Sequence, residues 1–393
     1  MDFNKIKYEE SENIAYVGFG HNNEKSMTVL DMETLKEFSD VLDLLEKNQS
    51  DLRGVIFHSV KSNVFLAGAD INLIHTLETE SEAASGAEQG QKLMSRIDDL
   101  RVPTVACIDG PCLGGGLELA LSCDSILASD SNKTILGLPE VKLGILPGFG
   151  GTYRLPRKIG LPKSLDLILS GKTLNGKRAK KYGLAEDVCP KERLLDDAPS
   201  FFNKGKEKAS IKSSIENFAS DNFLSRKLIF QKARESVLKK TKGFYHAPLK
   251  ILDLIESGAM KKRDTYLELE AQAFGQLCAS EQSKNLRNLF FLMESSKKYP
   301  GKDNNVDVSE LDRGAVVGAG TMGGGIAWLM ASSDMMPIMK DLNLEALELG
   351  LKQSASNFSG AVKRRKMTRD EFERKQRSIT AQMDFNGFKR VDL

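Results

Sequence analysis

The sequence predicts an α/β fold divided among more than one domain, and three observations support this prediction. At 393 residues the chain is too long for one ordinary domain. Segments with the composition of β-strands alternate with segments whose apolar residues recur at helical spacing, which is typical of sheets with helical crossovers. Two glycine-rich turns, one before residue 118 and one after residue 317, each lie between a predicted strand and a predicted helix.

The elements of the first half follow from these apolar patterns. Apolar residues at helical spacing predict helices within 27–48 and around 90–100. Runs of β-branched and aromatic residues predict strands at 13–20, 52–60, 102–110, 124–130 and 134–140.

The composition changes after Pro190. Residues 191–300 are rich in Lys and Glu with scattered apolar positions, which favours helices, and 265–301 predicts one or two amphipathic helices that end at Tyr-Pro-Gly. A polar linker is expected at 302–312. The sequence therefore divides into three regions: a first domain at 1–190, a helical linker region at 191–306 and a last domain at 307–393.

Charge and composition exclude several classes of function. The 56 basic and 54 acidic residues leave a formal net charge of +2, so no overall field directs the chain to nucleic acid. The five cysteines lack metal-ligand spacing and are typical of reduced thiols, so no metal site is expected. No apolar run approaches the ~18 residues of a membrane span. The N-terminus lacks a signal or transit pattern. We expect a cytoplasmic protein, with a mature mitochondrial matrix protein as the alternative.

The stretch CLGGGLELALSCD, residues 112–124, places one carboxylate in an otherwise apolar helix. Three successive glycines disfavour a helix, so they are expected to let a ligand approach the backbone closely. The amide of Gly115, at the helix N-terminus, would belong to an oxyanion hole for a carbonyl that gains negative charge. Glu118 would lie close to that carbonyl. Alternatively, the glycines only permit tight packing and Glu118 only complements the helix dipole.

Two further stretches favour the ligand-binding interpretation. In FLAGADI, residues 65–71, the amide of Ala69 would be the second donor of the oxyanion hole, or else Asp70 simply caps the following helix. In LGLPEVKLGILPGFGGTYRLPRKIG, residues 136–160, Glu140 follows a proline in an apolar segment. A single Glu at such a place is more often capped or solvated than catalytic.

These motifs resemble the crotonase, or enoyl-CoA hydratase/isomerase, superfamily. The AGAD turn, the GGGLE helix start, the PE segment, the PGxGGTxRL run and SGKTLNGKRAKKYGLAEDVCP occur in the family's order. The separation of Glu118 and Glu140 is similar to that in the α-subunits of multifunctional fatty-acid oxidation complexes. Tyr153 stands where the family usually has Gln, which we expect to affect local packing more than chemistry. The resemblance implies a crotonase-like ββα spiral.

The resemblance also implies a function, the hydration of trans-2-enoyl-CoA to 3-hydroxyacyl-CoA without a cofactor. The amides of Ala69 and Gly115 would bind the thioester oxygen. Glu118 would deprotonate water, which the Gly148 amide orients, and Glu140 would protonate Cα. Further substrate contacts are expected from neighbouring residues, namely Ala67, Gly68, Asp70 and Gly114.

Further expectations follow from the same resemblance. Two carboxyl groups this close should titrate as a coupled pair with one pKa raised. The pair could also shuttle a proton between carbons, which gives 3-enoyl to 2-enoyl isomerisation as a side activity. The implied partners are a thiolase β-subunit or further copies of the chain in a trimer. The helical region 191–306 matches the linker of the multifunctional proteins.

The second glycine turn, GAVVGAGTMGGG, lies at residues 314–325. Its Gly318-x-Gly320-x-x-Gly323 pattern, which encloses Thr321 and Met322, lies between a predicted strand and a predicted helix. Asp341 ends the next apolar run at a spacing that suits a carboxylate bound to an adenosine ribose, which favours NAD over NADP. The alternative is a plain glycine-rich turn. The region resembles the start of a 3-hydroxyacyl-CoA dehydrogenase domain.

That resemblance covers only the first half of such a domain. The catalytic His–Glu pair of the family lies further on, and all four histidines of this chain precede the turn. We therefore expect a truncated, incomplete Rossmann-type domain with an unpaired strand edge, weak NAD binding and no hydride transfer. The alternatives to a hydratase are an NAD-dependent 3-hydroxyacyl-CoA dehydrogenase and a non-catalytic acyl-CoA-binding module. The presence of both glutamates disfavours the last.

Overall fold

The structure is a computed structural model, and it describes residues 3–21, 27–204, 223–297, 311–364 and 367–393. The chain forms two compact units, Met1–Tyr299 and Pro300–Leu393. Helices from the predicted linker region belong to the first unit together with the predicted first domain. Within the described ranges we find no helix with the length and apolar character needed to cross a bilayer.

The strands of the first unit form two sheets. In chain order they are β1 (Ile6–Ser11), β2 (Ile14–Phe19), β3 (Gly54–Ser59), β4 (Thr104–Ile108), β5 (Pro111–Leu113), β6 (Ser125–Ser129), β7 (Ile135–Gly137), β8 (Thr173–Asn175) and β9 (Asp187–Cys189). Six of them pair in the order β1-β2-β3-β4-β6-β9, and β5, β7 and β8 form a small second sheet. Only β1 runs antiparallel within the larger sheet.

The helices of the first unit surround these sheets. The described ones are α1 (Met32–Asn48), α2 (Ile71–Thr76), α3 (Glu80–Asp99), α4 (Gly115–Ser122), α5 (Gly151–Ile159), α6 (Leu161–Ser170), α7 (Gly176–Tyr182), α8 (Leu194–Asp197), α9 (Phe223–Thr241), α10 (His246–Gly258), α11 (Arg263–Ala279) and α12 (Glu281–Lys297). Short 3₁₀ turns cover Glu140–Leu143, Lys191–Arg193 and Ala198–Lys204.

Side-chain caps explain where two helices begin. Asp31 accepts a hydrogen bond from Thr34 N at 2.8 Å, so α1 begins at Met32 rather than at the start of the predicted segment. Thr79 and Glu82 form a capping box, so α3 begins about ten residues before the predicted helix. The capping box was the available signal for α3, and it precedes an alanine-rich turn that carries little apolar periodicity.

Strand β1 is absent from the sequence predictions. Only Ile6 of this strand is buried, and the strand lies at the edge of the larger sheet. An edge strand with one buried side chain lacks the alternation by which strands are recognised. Its pairing with β2, in which Ile6 lies opposite Phe19, is therefore visible only in the structure.

The one or two helices predicted in 265–301 are two, α11 and α12, whereas the predicted end at Tyr-Pro-Gly lies outside the described residues. Helix α11 packs closely on α3. A Cβ at Gly275 would lie 2.4 Å from the carbonyl oxygen of Glu80, so only glycine fits at this crossing. This contact places one face of α11 beside the first glycine-rich turn.

The second unit is an α/β arrangement in which three helices share one hydrophobic core with a small sheet. Its elements are β10 (Arg313–Val317), α13 (Gly323–Ser332), β11 (Met336–Lys340), α14 (Leu344–Lys363), α15 (Arg369–Arg377) and β12 (Thr380–Gln382). The three strands are parallel, in the order β10-β11-β12. A short 3₁₀ turn covers Phe388–Arg390.

The outer edge of β10 is partly occupied by the last two residues of the sequence. Asp392 N donates a hydrogen bond to Arg313 O, and Ala315 N donates one to Leu393 O, both at 2.8 Å. These two bonds pair the outer edge of β10 with residues 392 and 393. The backbones of residues 392 and 393 thus hydrogen-bond to one carbonyl and one amide group of β10 without forming a strand of their own.

Candidate active site

A cavity of about 580 Å³ opens between α3, α4 and the 3₁₀ turn at Glu140–Leu143. The cavity is lined by eight residues that the sequence singled out, namely Ala67, Gly68, Ala69, Gly114, Gly115, Glu118, Glu140 and Gly148. Asp70 lies outside this group. Its carboxylate accepts a hydrogen bond from Asn72 N at 2.9 Å and caps α2, which is the alternative that the sequence left open.

The AGAD turn and the GGGLE turn lie against each other. A Cβ at Gly68 would be in van der Waals contact with Gly115 N, at 3.5 Å, and the φ of +99° at Gly68 is one that residues with a side chain rarely adopt. Leu30 bonds to the residues on both sides of Ala69, accepting from Asp70 N and donating to Gly68 O.

That bonding pattern orients the amide of Ala69. Alternate residues of an extended segment direct their amides to opposite sides, so the Ala69 N–H faces away from Leu30. Gly115 is the first residue of α4, and its amide has no acceptor within the helix. Two amide donors that face a common space are the elements of an oxyanion hole.

Glu118 lies inside the unit with 2% of its surface exposed. Its Oε1 accepts hydrogen bonds from Phe149 N at 2.8 Å and from Gly151 N at 2.7 Å. Gly151 permits this approach, because a Cβ there would lie 2.8 Å from the same oxygen. The carboxylate is thus anchored by one oxygen to the Pro-Gly-Phe-Gly-Gly loop that also contains Gly148.

Glu140 reaches the cavity from the start of the 3₁₀ turn. Its Oε1 lies over the first glycine turn, 2.8 Å from where a Cβ at Gly114 would be. Its Oε2 is buried and has no hydrogen-bond partner among the described residues. Glu140 is half-buried as a residue, but its Oε2 is out of contact with water, and a buried carboxyl oxygen without a donor favours the neutral acid.

Burial controls the electrostatics of the pair. Removal from water raises the pKa of Glu140 from 4.5 to about 8. Burial also raises the pKa of Glu118 well above its usual value, and the negative charges of Glu140 and Glu270 add to this effect. The two amides at Glu118 act in the opposite direction. The expected coupling is present, but burial raises both pKa values rather than one.

Sequence analysis missed three residues of α11 that face this site: Tyr266, Glu270 and Phe274. Their spacing of four places them on one face of the helix. Phe274 lines the cavity, and a Cβ at Gly148 would be 2.8 Å from its ring. No distinct local signal was available, because Glu270 lies in Leu-Glu-Leu-Glu-Ala-Gln-Ala-Phe, where Glu268 has the same kind of sequence environment.

Most of the remaining cavity wall is apolar, apart from Ser81, Glu82, Ser85 and Gln89 on α3. It contains Met32, Leu35, Ile71, Leu73, Ile74, Leu77, Leu143, Ile145, Phe149 and Phe274. A largely apolar cavity with a few convergent polar groups suits a ligand with a hydrocarbon part. Tyr153 is not among the lining residues. Its ring instead packs 5.2 Å from that of Tyr266 and lies under the guanidinium of Arg157.

The second glycine turn, in the other unit, also depends on glycine. Gly318 has a φ of +100°, and a Cβ at Gly323 would lie 1.8 Å from Gly318 O. Around Gly320 there is open space, since a Cβ there would meet nothing within 4 Å. Thr321 and Met322, the other predicted residues of this turn, are exposed.

Asp341 follows β11 and lies beside that turn. Its Oδ2 accepts a hydrogen bond from Ala319 N and its Oδ1 one from Leu342 N, both at 2.6 Å. These bonds lower the pKa of Asp341, so the carboxylate is ionised at neutral pH. A turn open at Gly320, a following helix and an ionised carboxylate fit the adenosine and phosphate part of NAD.

Comparison with known families agrees with this geometry. Residues 9–248, more than half of the chain, match the family model of enoyl-CoA hydratase/isomerase. The chain belongs to the enoyl-CoA hydratase/isomerase family. Its residues 314–393 match the NAD binding domain of 3-hydroxyacyl-CoA dehydrogenase. Both family resemblances predicted from the motifs are confirmed.

Curated relatives of this family member match over nearly the whole chain. The fatty acid oxidation complex subunit alpha of Vibrio vulnificus is 41% identical over 390 residues, which are 99% of this chain and 55% of that protein. The protein of the same name from Aliivibrio fischeri is 41% identical over 386 residues, 98% of this chain and 56% of that protein. The chain therefore spans about half the length of the curated relatives it matches.

Solved structures share the fold. The human mitochondrial delta3-delta2-enoyl-CoA isomerase is 21% identical, with a TM-score of 0.55 over 75% of this chain and 99% of that chain. An enoyl-CoA hydratase/isomerase from Xanthobacter autotrophicus Py2 is 21% identical, with a TM-score of 0.52 over 78% of this chain and 100% of that chain. The crotonase-type fold predicted for the first unit is confirmed.

Proposed function

We propose that the first unit catalyses the addition of water to trans-2-enoyl-CoA, giving 3-hydroxyacyl-CoA. The observation that carries this proposal is the meeting of Glu118 and Glu140 with the turns of Ala69 and Gly115 at one apolar cavity. Membership of the enoyl-CoA hydratase/isomerase family supports it. The apolar wall would hold the acyl chain, and the hydration step needs no cofactor.

In the proposed reaction Glu118 accepts a proton from water while the water oxygen bonds to Cβ. The electrons of the alkene move to the thioester oxygen, where the amides of Ala69 and Gly115 stabilise the developing negative charge. Removing one such donor typically costs about 3–4 kcal/mol of barrier. Glu140 then gives its proton to Cα. Return of the proton from Glu118 to Glu140 restores the starting state.

Hydrogen bonding supports this division of roles. Glu118 receives two amide donors on one oxygen, which stabilises its ionised form. Glu140 has a buried oxygen without a donor, which favours its protonated form. Two carboxyl groups this close share a single negative charge, and the amides place that charge on Glu118. The resting site thus contains one base and one acid.

The same pair also supports a side activity. If Glu140 removes and returns a proton at different carbons of a 3-enoyl thioester, the product is the 2-enoyl isomer. The oxyanion hole would stabilise an enolate oxygen in both reactions, that of the 3-hydroxyacyl enolate in hydration and that of a conjugated dienolate in isomerisation. We therefore include 3-enoyl to 2-enoyl isomerisation in the proposal.

For the second unit we propose NAD binding at the turn of Gly318, Gly320 and Gly323. The amides of the turn and of the start of α13 would face the phosphates, and Asp341 would accept hydrogen bonds from the adenosine ribose. The match to an NAD binding domain supports this assignment. When bound, NAD supplies a hydride acceptor.

Partners and location complete the proposal. The names of the curated relatives describe a subunit of a complex, which supports association with a thiolase-type β-subunit or with further copies of the chain. The bacterial origin of these relatives supports a cytoplasmic location.

The hydratase proposal is tested with trans-2-butenoyl-CoA, by following the loss of enoyl-thioester absorbance. We expect turnover by the full chain and a fall of about 100-fold or more in Glu140→Gln, with binding of the CoA ester retained. Binding without turnover in the parent chain would instead indicate a non-catalytic acyl-CoA-binding module.

A further inference from the structure

Glu270 lies on α11, in the region that the sequence predicts to be a linker, and none of its surface is exposed. Its neighbours on the same helix face also contact the loop that anchors Glu118. Tyr266 donates a hydrogen bond to Thr152 O at 3.2 Å, and Phe274 packs on Gly148. One face of α11 therefore follows the loop and the first turn of α5.

The loop amides alternate between two carboxylates. Glu118 Oε1 accepts from Phe149 N and Gly151 N, at 2.8 and 2.7 Å. Glu270 accepts from Gly150 N at 2.6 Å and from Thr152 N at 3.1 Å. Four consecutive amides thus bind two buried acidic side chains in turn. Because the four residues are consecutive, a movement of the two amides bound to Glu270 would also displace the two amides bound to Glu118.

Both oxygens of Glu270 are occupied by donors. Besides the two amides, Gln91 Nε2 donates to Oε1 at 3.1 Å, and the Thr152 hydroxyl donates to Oε2. Four donors and no unpaired oxygen favour the ionised carboxylate. Burial acts in the opposite direction and raises the pKa of Glu270 to about 7. At neutral pH and above, the group carries negative charge beside the reacting pair.

The charged and titratable groups around Glu270 come from five elements. Arg154 of α5 lowers the pKa of Glu270 and is itself bound to Asp98 of α3 at 2.6 Å. The full set is Asp98 on α3, Glu118 on α4, Glu140 on the 3₁₀ turn, Arg154, Arg157 and Tyr153 on α5, and Tyr266 on α11 itself. Only Glu118 and Glu140 in this set line the cavity.

We propose that Glu270 is a positioning residue for hydration: it holds the amides of Gly150 and Thr152 and thereby fixes the loop that anchors Glu118. This inference rests on the proposed hydratase function. It also assigns an active-site role to the helical region that follows the first domain. The negative charge of Glu270 adds to the repulsion that keeps Glu118 and Glu140 from ionising together.

The test compares Glu270→Gln with Glu270→Asp and with Glu268→Gln, a control on the exposed face of the same helix. Loss of one amide acceptor in Glu270→Gln should lower kcat on the order of 10- to 100-fold with little change in KM. Loss of the charge lowers the pKa of both cavity glutamates. Both limbs of the pH profile of kcat/KM should therefore move to lower pH.

Glu270→Asp keeps the charge and shortens the reach. It should lower kcat while leaving both limbs of the pH profile in place. Glu268→Gln should match the parent in every measurement. A purely structural role of Glu270 would lower the rate equally at every pH, and that result overturns the proposal. If Glu270→Gln fails to fold, Glu270→Asp replaces it in the amide-exchange measurement described next, where unchanged exchange of residues 149–152 overturns the proposal.

Amide hydrogen exchange gives a readout that does not depend on turnover. In Glu270→Gln we expect faster exchange of the peptide that contains residues 149–152, whereas Glu268→Gln should leave it unchanged. Unchanged exchange in Glu270→Gln overturns the positioning role. If the parent chain turns over no enoyl-CoA, the hydratase proposal fails, and the exchange result still decides whether Glu270 holds this loop.

Discussion

The two glycine-rich turns of this chain make different sites from the same local pattern. Each follows a strand, begins a helix and lies beside an acidic side chain, Glu118 in the first unit and Asp341 in the second. At the first turn the carboxylate is buried within an apolar cavity. At the second turn the carboxylate is only half-buried, and the space around Gly320 is open.

Burial reverses the electrostatics of the two carboxylates. Removal from water raises the pKa of Glu118, although two amides donate to it. Asp341 also accepts two amide hydrogen bonds, but it keeps its contact with water and its pKa falls. A carboxyl with a raised pKa exchanges protons near neutral pH, whereas one with a lowered pKa remains a fixed acceptor. The comparison therefore separates a site for proton transfer from a site for holding hydroxyl groups.

The largest expected effect that separates the turns is Glu118→Gln. Because the amide cannot accept a proton from water, we expect kcat/KM for trans-2-butenoyl-CoA to fall by about 1,000-fold. Asp341→Asn, the matched change at the other turn, should leave hydration unchanged. Titration with a CoA ester should show retained binding in both variants. Equal hydration by Glu118→Gln and the parent would remove Glu118 from the reaction.

Next in size is the effect of pH on the stability of the first unit. Glu140 has a raised pKa in the folded chain, so between pH 4.5 and about 8 the folded state binds more protons than the unfolded state. The free energy of unfolding should therefore fall as pH rises through this window, with a contribution from Glu140 of at most about 1.4 kcal/mol per pH unit. Glu140→Gln should flatten the dependence. Urea unfolding followed by circular dichroism measures the unfolding free energy of the parent and of Glu140→Gln at each pH. An identical pH dependence in the two proteins would contradict the raised pKa of Glu140.

Asp341 should show the opposite sign. Its pKa is lowered from 3.8, so its contribution to stability is present above that value and lost as pH falls through the folded pKa.

A smaller effect is expected from Gly114→Ala. Gly114 has a φ of +51°, and the added Cβ would lie 2.8 Å from Glu140 Oε1. The control is Gly183→Ala, where φ is +81° and a Cβ meets nothing within 4 Å. Both changes strain the backbone and should lower the unfolding free energy by about 1 kcal/mol. Only Gly114→Ala should displace Glu140 and reduce hydration, by about tenfold; equal rates in the two variants would show that the contact is unimportant.

The smallest effect is expected for Asp341→Asn at the second turn. Loss of the ionised acceptor should weaken NAD binding by about tenfold, since a hydrogen bond to a charged group contributes about 1.5 kcal/mol or more. Trp328, the one tryptophan of the chain, lies on the helix that follows the turn and reports binding by fluorescence. Glu118→Gln is the control and should bind NAD like the parent. Unaltered affinity in Asp341→Asn would remove Asp341 from the nucleotide site.

Much of the first site was predictable from local sequence. The strands within 13–20 and 102–110 are apolar and mostly buried, and their patterns locate them to within two residues. The turns at Gly68 and Gly114 need positive φ, so their glycines are visible in the sequence. Glu118 and Glu140 stand out because each interrupts an apolar segment.

The rest depends on contacts between distant parts of the chain. Nothing local indicates that Glu270 binds Gly150 and Thr152, which precede it by more than one hundred residues. Asp70 has the local pattern of both a ligand contact and a helix cap, and only the position of its carboxylate at Asn72 N decides between them. The hydrogen bonds of residues 392 and 393 to the edge of β10 also join distant parts of the sequence, and no periodic pattern of residues announces them.

A crystal structure of the chain with bound 3-hydroxybutanoyl-CoA tests the central claim most directly. The account predicts the thioester oxygen within hydrogen-bond distance of Ala69 N and Gly115 N, with the 3-hydroxyl group at Glu118 and Cα facing Glu140. A thioester oxygen bound away from these amides, or a ligand whose 3-hydroxyl group and Cα lie out of reach of Glu118 and Glu140, would contradict it.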